Sequence, residues 1–155
     1  MPLRIEPAGL ADLRRVLADH PRYWGERDLR SLHLTALVQE FGPTCLVARA
    51  GDGIRGYVFG FVTPAGTGYV HLVATRDDAR GCGLGRRLYE AFAEAARREG
   101  GVRLKAITSV GNTGSIAFHR RLGFEVRIVD DYNGPGRTMA VFQRDLPLLP
   151  DQGLT

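Results

Sequence analysis

The most constraining stretch of the chain runs from residue 80 to residue 101, where a glycine-rich turn leads straight into a strongly amphipathic segment. Leu84, Leu88, Ala91, Phe92 and Ala95 recur at helical spacing, and Arg86, Arg87, Glu90, Glu94 and Arg98 occupy the other face. That period makes one apolar stripe along a helix, and the stripe must be covered by another layer. Gly100-Gly101 ends it, because glycine accepts the left-handed conformation that commonly closes a helix. Ahead of the stripe lies Arg80-Gly81-Cys82-Gly83-Leu84-Gly85-Arg86, preceded by a β-rich segment. The first N–H groups of a helix lack internal acceptors and carry the positive end of its dipole, and glycines let an oxyanion approach them. Strand, glycine turn and helix in that order predict an α/β chain with an anion cradle of a size suited to pyrophosphate.

The remaining pattern supplies the covering layers. Leu3 to Glu6 predicts a short strand ended by Pro7, and Leu10, Leu13, Val16 and Leu17 predict a helix up to His20 and Pro21. A second helix is expected after Tyr23 and Trp24, capped by Asp28, carrying Leu29, Leu32, Ala36 and Leu37, and stopped by Gly42-Pro43. Thr44 to Ala50, Ile54 to Val62 and Tyr69 to Thr75 read as three antiparallel strands joined by glycine turns. Beyond the long helix, Val102 to Val110 reads as a buried strand and Asn112 to Leu122 as a short helix closed by Gly123. Phe124 to Val129 and Thr138 to Phe142 read as two final strands. The expected fold is a single domain over residues 1–146 built on one mixed, mostly antiparallel sheet, with a tail at 147–155.

Composition closes off other classes. With 155 residues, 44% hydrophobic and 25% charged, the chain has the content of one globular domain, so a coiled coil or a disordered chain is a poor fit. No apolar run approaches the roughly 18 residues of a membrane helix and no signal-peptide shape opens the chain, so no membrane role is expected and the compartment expected is the cytoplasm. Two cysteines, Cys45 and Cys82, make no disulfide scaffold, and no Cys/His spacing suggests a metal site. The net charge is +4 and Lys105 is the one lysine, so the cations are almost all arginines, the side chain suited to two-pronged recognition of phosphate or carboxylate. A nucleic-acid partner is not expected, for want of a basic stripe with interleaved aromatics.

The glycine spacing narrows the anion site. A P-loop needs four residues before Gly-Lys-Ser/Thr, and a dinucleotide fingerprint needs a glycine where Arg86 stands. What remains is Arg80-x-x-Gly83-x-Gly85. Together with Asn112-Thr-Gly-Ser115-Ile-Ala-Phe118-His119-Arg-Arg-Leu-Gly123-Phe124 about thirty residues later, it resembles the two signatures of the GNAT superfamily of acyl-CoA-dependent N-acyltransferases. The order of elements from Leu3 to Leu146 is similar to that superfamily as well.

The resemblance implies a GNAT-like fold whose sheet splays beside the cofactor, and direct transfer of an acetyl group from acetyl-CoA, through a tetrahedral intermediate, to a primary amine of a small molecule, peptide or protein. It places the pantetheine arm along Val73, Ala74 and Thr75, where the backbone N–H groups would polarise the thioester carbonyl. It places the pyrophosphate on the amides of Gly81, Cys82, Gly83, Leu84, Gly85 and Arg86, with Arg80 and Arg86 adding charge. Cys82 is expected as a small filler. Asn112 caps the short helix and, with Ser115, faces CoA. Most members carry a tyrosine as proton donor where this chain has His119, so the acid is expected at His119, with Tyr132 as the alternative. His71 is expected as the base, on the strand face shared with Val73 and Thr75, with Asp130, Asp131 or a water chain as the alternatives. Asp77 stands where many members have proline, which should change only the entry turn. The acceptor is expected between residues 21–27 and 130–136, with Tyr23, Trp24 or Tyr132 offering ring faces and Asp130 or Asp131 a counter-charge to a small cation. A homodimer paired through the last strands and a catalytically silent CoA-binding module both remain open.

Overall fold

Seven strands form one sheet in the order β1-β2-β3-β4-β5-β7-β6 in the computed structural model, which describes residues 2–148. The strands are β1 (Leu3–Pro7), β2 (Cys45–Ala50), β3 (Gly53–Val62), β4 (Thr67–Thr75), β5 (Arg103–Ser109), β6 (Glu125–Val129) and β7 (Met139–Asp145). The helices are α1 (Leu10–Ala18), α2 (His20–Trp24), α3 (Thr35–Glu40), α4 (Leu84–Arg98) and α5 (Thr113–Arg121). Five strand pairs are antiparallel and one, β4 with β5, is parallel. None of the described helices is long and apolar enough to cross a membrane.

Two apolar layers hold the sheet. On one side α4 buries Leu84, Leu88, Tyr89, Phe92, Ala93 and Ala96 against strand residues such as Val58, Val70, Leu104 and Phe142. The stripe expected from the sequence is rotated: Tyr89 and Ala96 are fully buried, whereas Ala91 and Ala95 lie at its margin. On the other side Leu13, Val16, Leu37 and Val38 of α1 and α3 pack on Val47, Tyr57 and Phe59. Leu148, which the sequence assigns to the tail, is buried in the first layer; residues 149–155 lie outside the described residues.

The helical region before β2 departs from expectation. Pro21 does not stop a helix but opens α2, where its missing N–H is one the first turn leaves unpaired anyway. Tyr23 and Trp24 therefore lie inside a helix. The expected helix after Asp28 is broken into a 3-10 turn at Arg30–Leu32 and the separate α3. The cause is Leu29, whose backbone is held by two histidine side chains: its N–H donates to His20 Nε2 at 3.0 Å, and its carbonyl accepts from His33 Nδ1 at 2.7 Å. The N–H is thus satisfied outside any helical ladder, while the carbonyl also closes the 3-10 turn by accepting from Leu32 N at 3.0 Å. Val102 and Val110 fall outside β5 and are largely exposed.

Two features of β4 shape the site. Its pairing with β5 covers only Thr67–Tyr69 opposite Arg103–Lys105, so the strands part beyond Tyr69. On its other edge Phe59 pairs with Leu72 and Gly60 with Val70, leaving His71 as an extra residue without a cross-strand partner. This is a β-bulge. Gly60, opposite it, has no room for a side chain: a Cβ would lie 2.7 Å from the Phe92 ring and collide with the Tyr69 carbonyl oxygen. Gly60→Ala should therefore destabilise the fold by about 2–3 kcal/mol, as overpacking does, and thermal denaturation would register it as a lowered midpoint.

Candidate active site

The parting of β4 and β5 opens a cleft of about 1090 Å³, lined along its length by residues 69–75 of β4 and 106–109 of β5. At its mouth stands the glycine loop. Gly81 and Gly83 hold φ of +79° and +80°, a region that side chains strain to enter, and ideal Cβ atoms built there would meet nothing within 4 Å. Arg87 is the first residue of α4 whose N–H reaches Gly83 O, at 3.1 Å, so the N–H groups of Leu84, Gly85 and Arg86 precede the helical ladder and are available to an anion. Gly85 serves another end: a Cβ there would press on the Phe118 ring at 3.1 Å, and its absence lets α5 close on the start of α4.

The flanking arginines are partly engaged. Arg80 donates from Nη2 to Tyr23 O at 2.9 Å and from Nε to Thr75 O at 3.3 Å, joining α2 to the end of β4. Arg86 pairs with Glu90 at 3.1 Å. Cys82 is exposed, donates to Ala79 O and does not line the cleft. Asp77 opens a 3-10 turn and holds Arg22 of α2 at 2.8 Å. Asn112 caps α5, accepting from Ser115 N at 3.1 Å and donating to Thr108 Oγ1 at 3.2 Å, and both Asn112 and Ser115 face the cleft.

His71 lines the cleft, but not by strand alternation with Val73 and Thr75. The bulge breaks that alternation and turns the side chain toward the helical segment, where Nε2–H donates to Leu32 O at 3.0 Å. Since a carbonyl can only accept, Nε2 carries the proton and Nδ1 is left as an unprotonated base. Burial lowers the pKa of His71, and the bond to Leu32 opposes that shift.

His119 is differently placed. It is 4% exposed, stacks on Phe142 at 3.9 Å and has both nitrogens occupied. Nδ1–H donates to Ser115 O at 2.7 Å and Nε2 accepts from Tyr89 O–H at 2.6 Å. Burial pushes its pKa down to about 4. A neutral ring whose single proton is committed to a backbone carbonyl has none to give, which argues against the acid role expected from sequence; His119 instead ties α5 to Tyr89 of α4. Tyr89, buried and also at the cleft wall, is the partner that the sequence stripe overlooks. Tyr132 is outside the lining, with its ring under Lys105 Nζ at 5.2 Å.

The acceptor side also differs from expectation. Asp131 Oδ1 accepts from Gly136 N at 2.6 Å and Asp130 Oδ1 from Thr138 Oγ1 at 3.2 Å, so both carboxylates organise their own loop. Tyr23 is buried and bonded to Ile54 O. Trp24 does line the cleft, its Nε1–H donating to the Tyr57 hydroxyl oxygen Oη at 2.8 Å, and the Tyr57 hydroxyl in turn donates to His33 Nε2 at 2.8 Å.

Comparison with known proteins agrees with this geometry. Residues 10–124 match the Acetyltransferase (GNAT) family. An L-methionine sulfoximine/L-methionine sulfone acetyltransferase of Pseudomonas paraeruginosa is 34% identical over 142 residues, covering 81% of this chain and 82% of that protein. Among solved structures, a ribosomal-protein-alanine N-acetyltransferase from Brucella melitensis superposes with a TM-score of 0.70 at 28% identity, over 92% of this chain and 99% of that one. The yncA structure from Salmonella typhimurium, solved with its cofactor acetyl-CoA, has a TM-score of 0.70 at 22% identity over 98% of this chain and 99% of that one. The chain belongs to the GNAT acetyltransferase family. Its class of reaction is acetyl-CoA-dependent N-acetylation.

His119 also makes stability depend on pH. Its folded pKa, near 4, is below the ordinary 6.5, so the unfolded chain binds more protons between those values and stability rises with pH across that window. Acidification from pH 6.5 to 4 should cost about 3 kcal/mol from this residue alone. His119→Phe should flatten that part of the slope in urea melts taken at stepped pH, while lowering stability at pH 7 because Tyr89 loses its acceptor.

Proposed function

We propose that the open edge of β4 is the acyl-transfer site, with the cofactor's pyrophosphate on the amides of Gly81–Arg86 and its amide-bearing arm along Val73, Ala74 and Thr75. The observation that carries this is the loss of pairing between β4 and β5 beyond Tyr69. Backbone groups beyond that point lack a sheet neighbour on one side, and an extended ligand with two amides supplies the partners they need. Leu84, Gly85 and Arg86 add the helix N-terminus, and Asn112 and Ser115 form the facing wall.

His71 is the general base. Its unprotonated Nδ1 takes a proton from the attacking amine, directly or through one water, and the bond from Nε2 to Leu32 O steadies the ring and the positive charge it then gains. An N–H beyond the bulge polarises the thioester carbonyl. His119 is a positioning residue that holds α5 and Tyr89 together. An ammonium acceptor gives up two protons on becoming an amide, one released to solvent and one matched by the proton the departing thiolate gains, so the balance closes without an acid at residue 119. The acceptor is a small molecule or peptide with a primary amine.

The lowered pKa of His71 gives the sign of the pH dependence: the ring is neutral through the physiological range, and the rate falls only in acid as the ring protonates. His71→Ala should lower kcat by roughly 10²–10³-fold, remove that acid limb and leave acetyl-CoA binding intact, as judged by thiol release and calorimetry. A wild-type rate and profile in this variant would move the base elsewhere. Acetyl-CoA should raise the melting temperature of both proteins.

A further inference from the structure

Among the described residues five arginines line the cleft, Arg27, Arg80, Arg86, Arg121 and Arg137, and no aspartate or glutamate does. Three of these have assignments on the cofactor side: Arg80 holds backbone carbonyls, Arg86 pairs with Glu90, and Arg121 ends α5. Of the other two, Arg27 also lines a second, smaller cleft with Val73, Thr75, Arg80, Asn112 and Ser115 and so stands with the residues proposed to hold the cofactor, whereas Arg137 comes from the β6–β7 loop and lines the main cleft alone. Among the described residues neither has a carboxylate partner; the guanidinium of Arg27 rests over the Trp24 ring at 5.8 Å. The two acids best placed in sequence to neutralise Arg137, Asp130 and Asp131, are held by Thr138 and Gly136 within their own loop.

Such a wall disfavours a purely cationic acceptor, which would meet guanidinium charge with no carboxylate to offset it. It favours an acceptor that brings its own anion. We infer that the amine substrate carries an anionic group close to its nitrogen, of the amino-acid carboxylate class, and that Arg137 receives that group. A guanidinium fork matches a carboxylate in two-pronged geometry. The same positive field lowers the pKa of a nearby ammonium, which eases proton removal by His71. A peptide N-terminus, whose α-carboxyl has become an amide, and a polyamine both lack the anion this wall selects.

This inference rests on the transferase reading, and the experiment separates the two. Thiol release from acetyl-CoA is followed with matched acceptors: L-methionine sulfone, glutamate and phenylalanine, each alongside its carboxamide and its decarboxylated amine. At least one carboxylate form should exceed its carboxamide and amine by roughly 100-fold or more in kcat/KM. Arg137→Ala should raise the acceptor KM about tenfold or more while the acetyl-CoA KM stays within about threefold, and the preference for carboxylate over carboxamide should shrink. Arg137→Lys should restore part of it, because charge returns without the fork. Arg27→Ala, beside the proposed cofactor arm, should leave the preference for carboxylate in place. Equal rates with carboxamides or amines would overturn the inference and leave the transferase reading standing. Absence of thiol release with every acceptor, in protein that still binds acetyl-CoA, would overturn both.

Discussion

The rest of the site depends on one event in the sheet, the divergence of β4 from β5 after a parallel contact three residues long. A buried strand edge without partners is costly, so the chain must stabilise the parting from elsewhere. It does so from both sides. The bulge at His71 twists β4 while its far edge keeps pairing with β3, and Arg80 ties the end of β4 to α2. On the β5 side, β7 pairs with the full strand and holds it in line with β6. The cleft is therefore a property of the whole sheet, and the residues that line it inherit their positions from strand register.

Polar side chains then do structural work that a strand or helix ladder cannot. His20 and His33 hold Leu29 at its N–H and carbonyl, and Tyr57 connects His33 to Trp24. These histidines act as neutral rings, since His20 Nε2 and His33 Nε2 each accept a hydrogen bond, and burial lowers the pKa of both. The segment they hold delivers Leu32 O to His71. One wall of the cleft is thus attached to the sheet through a chain of side-chain bonds and not through a regular element.

Much of the fold was legible in the sequence because its strongest signals are local. The stripe from Leu84 to Ala95, the turn glycines at 51 and 53 and the cap at Asn112 each name their element without help from distant residues. The misses share a non-local cause. Nothing between Asp28 and Gly42 announces that His20, nine residues before Leu29, will take its N–H and break the helix. Strict alternation along β4 predicts the facing of His71 incorrectly because the bulge arises in pairing with β3. A tyrosine-like acid at residue 119 fails on burial and on Tyr89. Tyr89 itself was within reach, as the helical neighbour of Leu88 one step around the stripe. Asp130 and Asp131 look like counter-charges until the turn that uses them is in view.

The two glycines of β3 that meet α4 have a consequence for selectivity. Gly56 would press a Cβ on Leu88 and Leu84, and Gly60 on Phe92, so these helix side chains rest directly on the strand backbone over about two turns. The anchor point at the helix start and the kink at residue 71 are then parts of one rigid body. On the proposed placement of the cofactor, a tether of constant length fastened at the first delivers its free end to the same depth at the second every time. Discrimination among acyl groups falls to whatever volume lies past that depth, and a change in donor preference should be sought there and not along the tether.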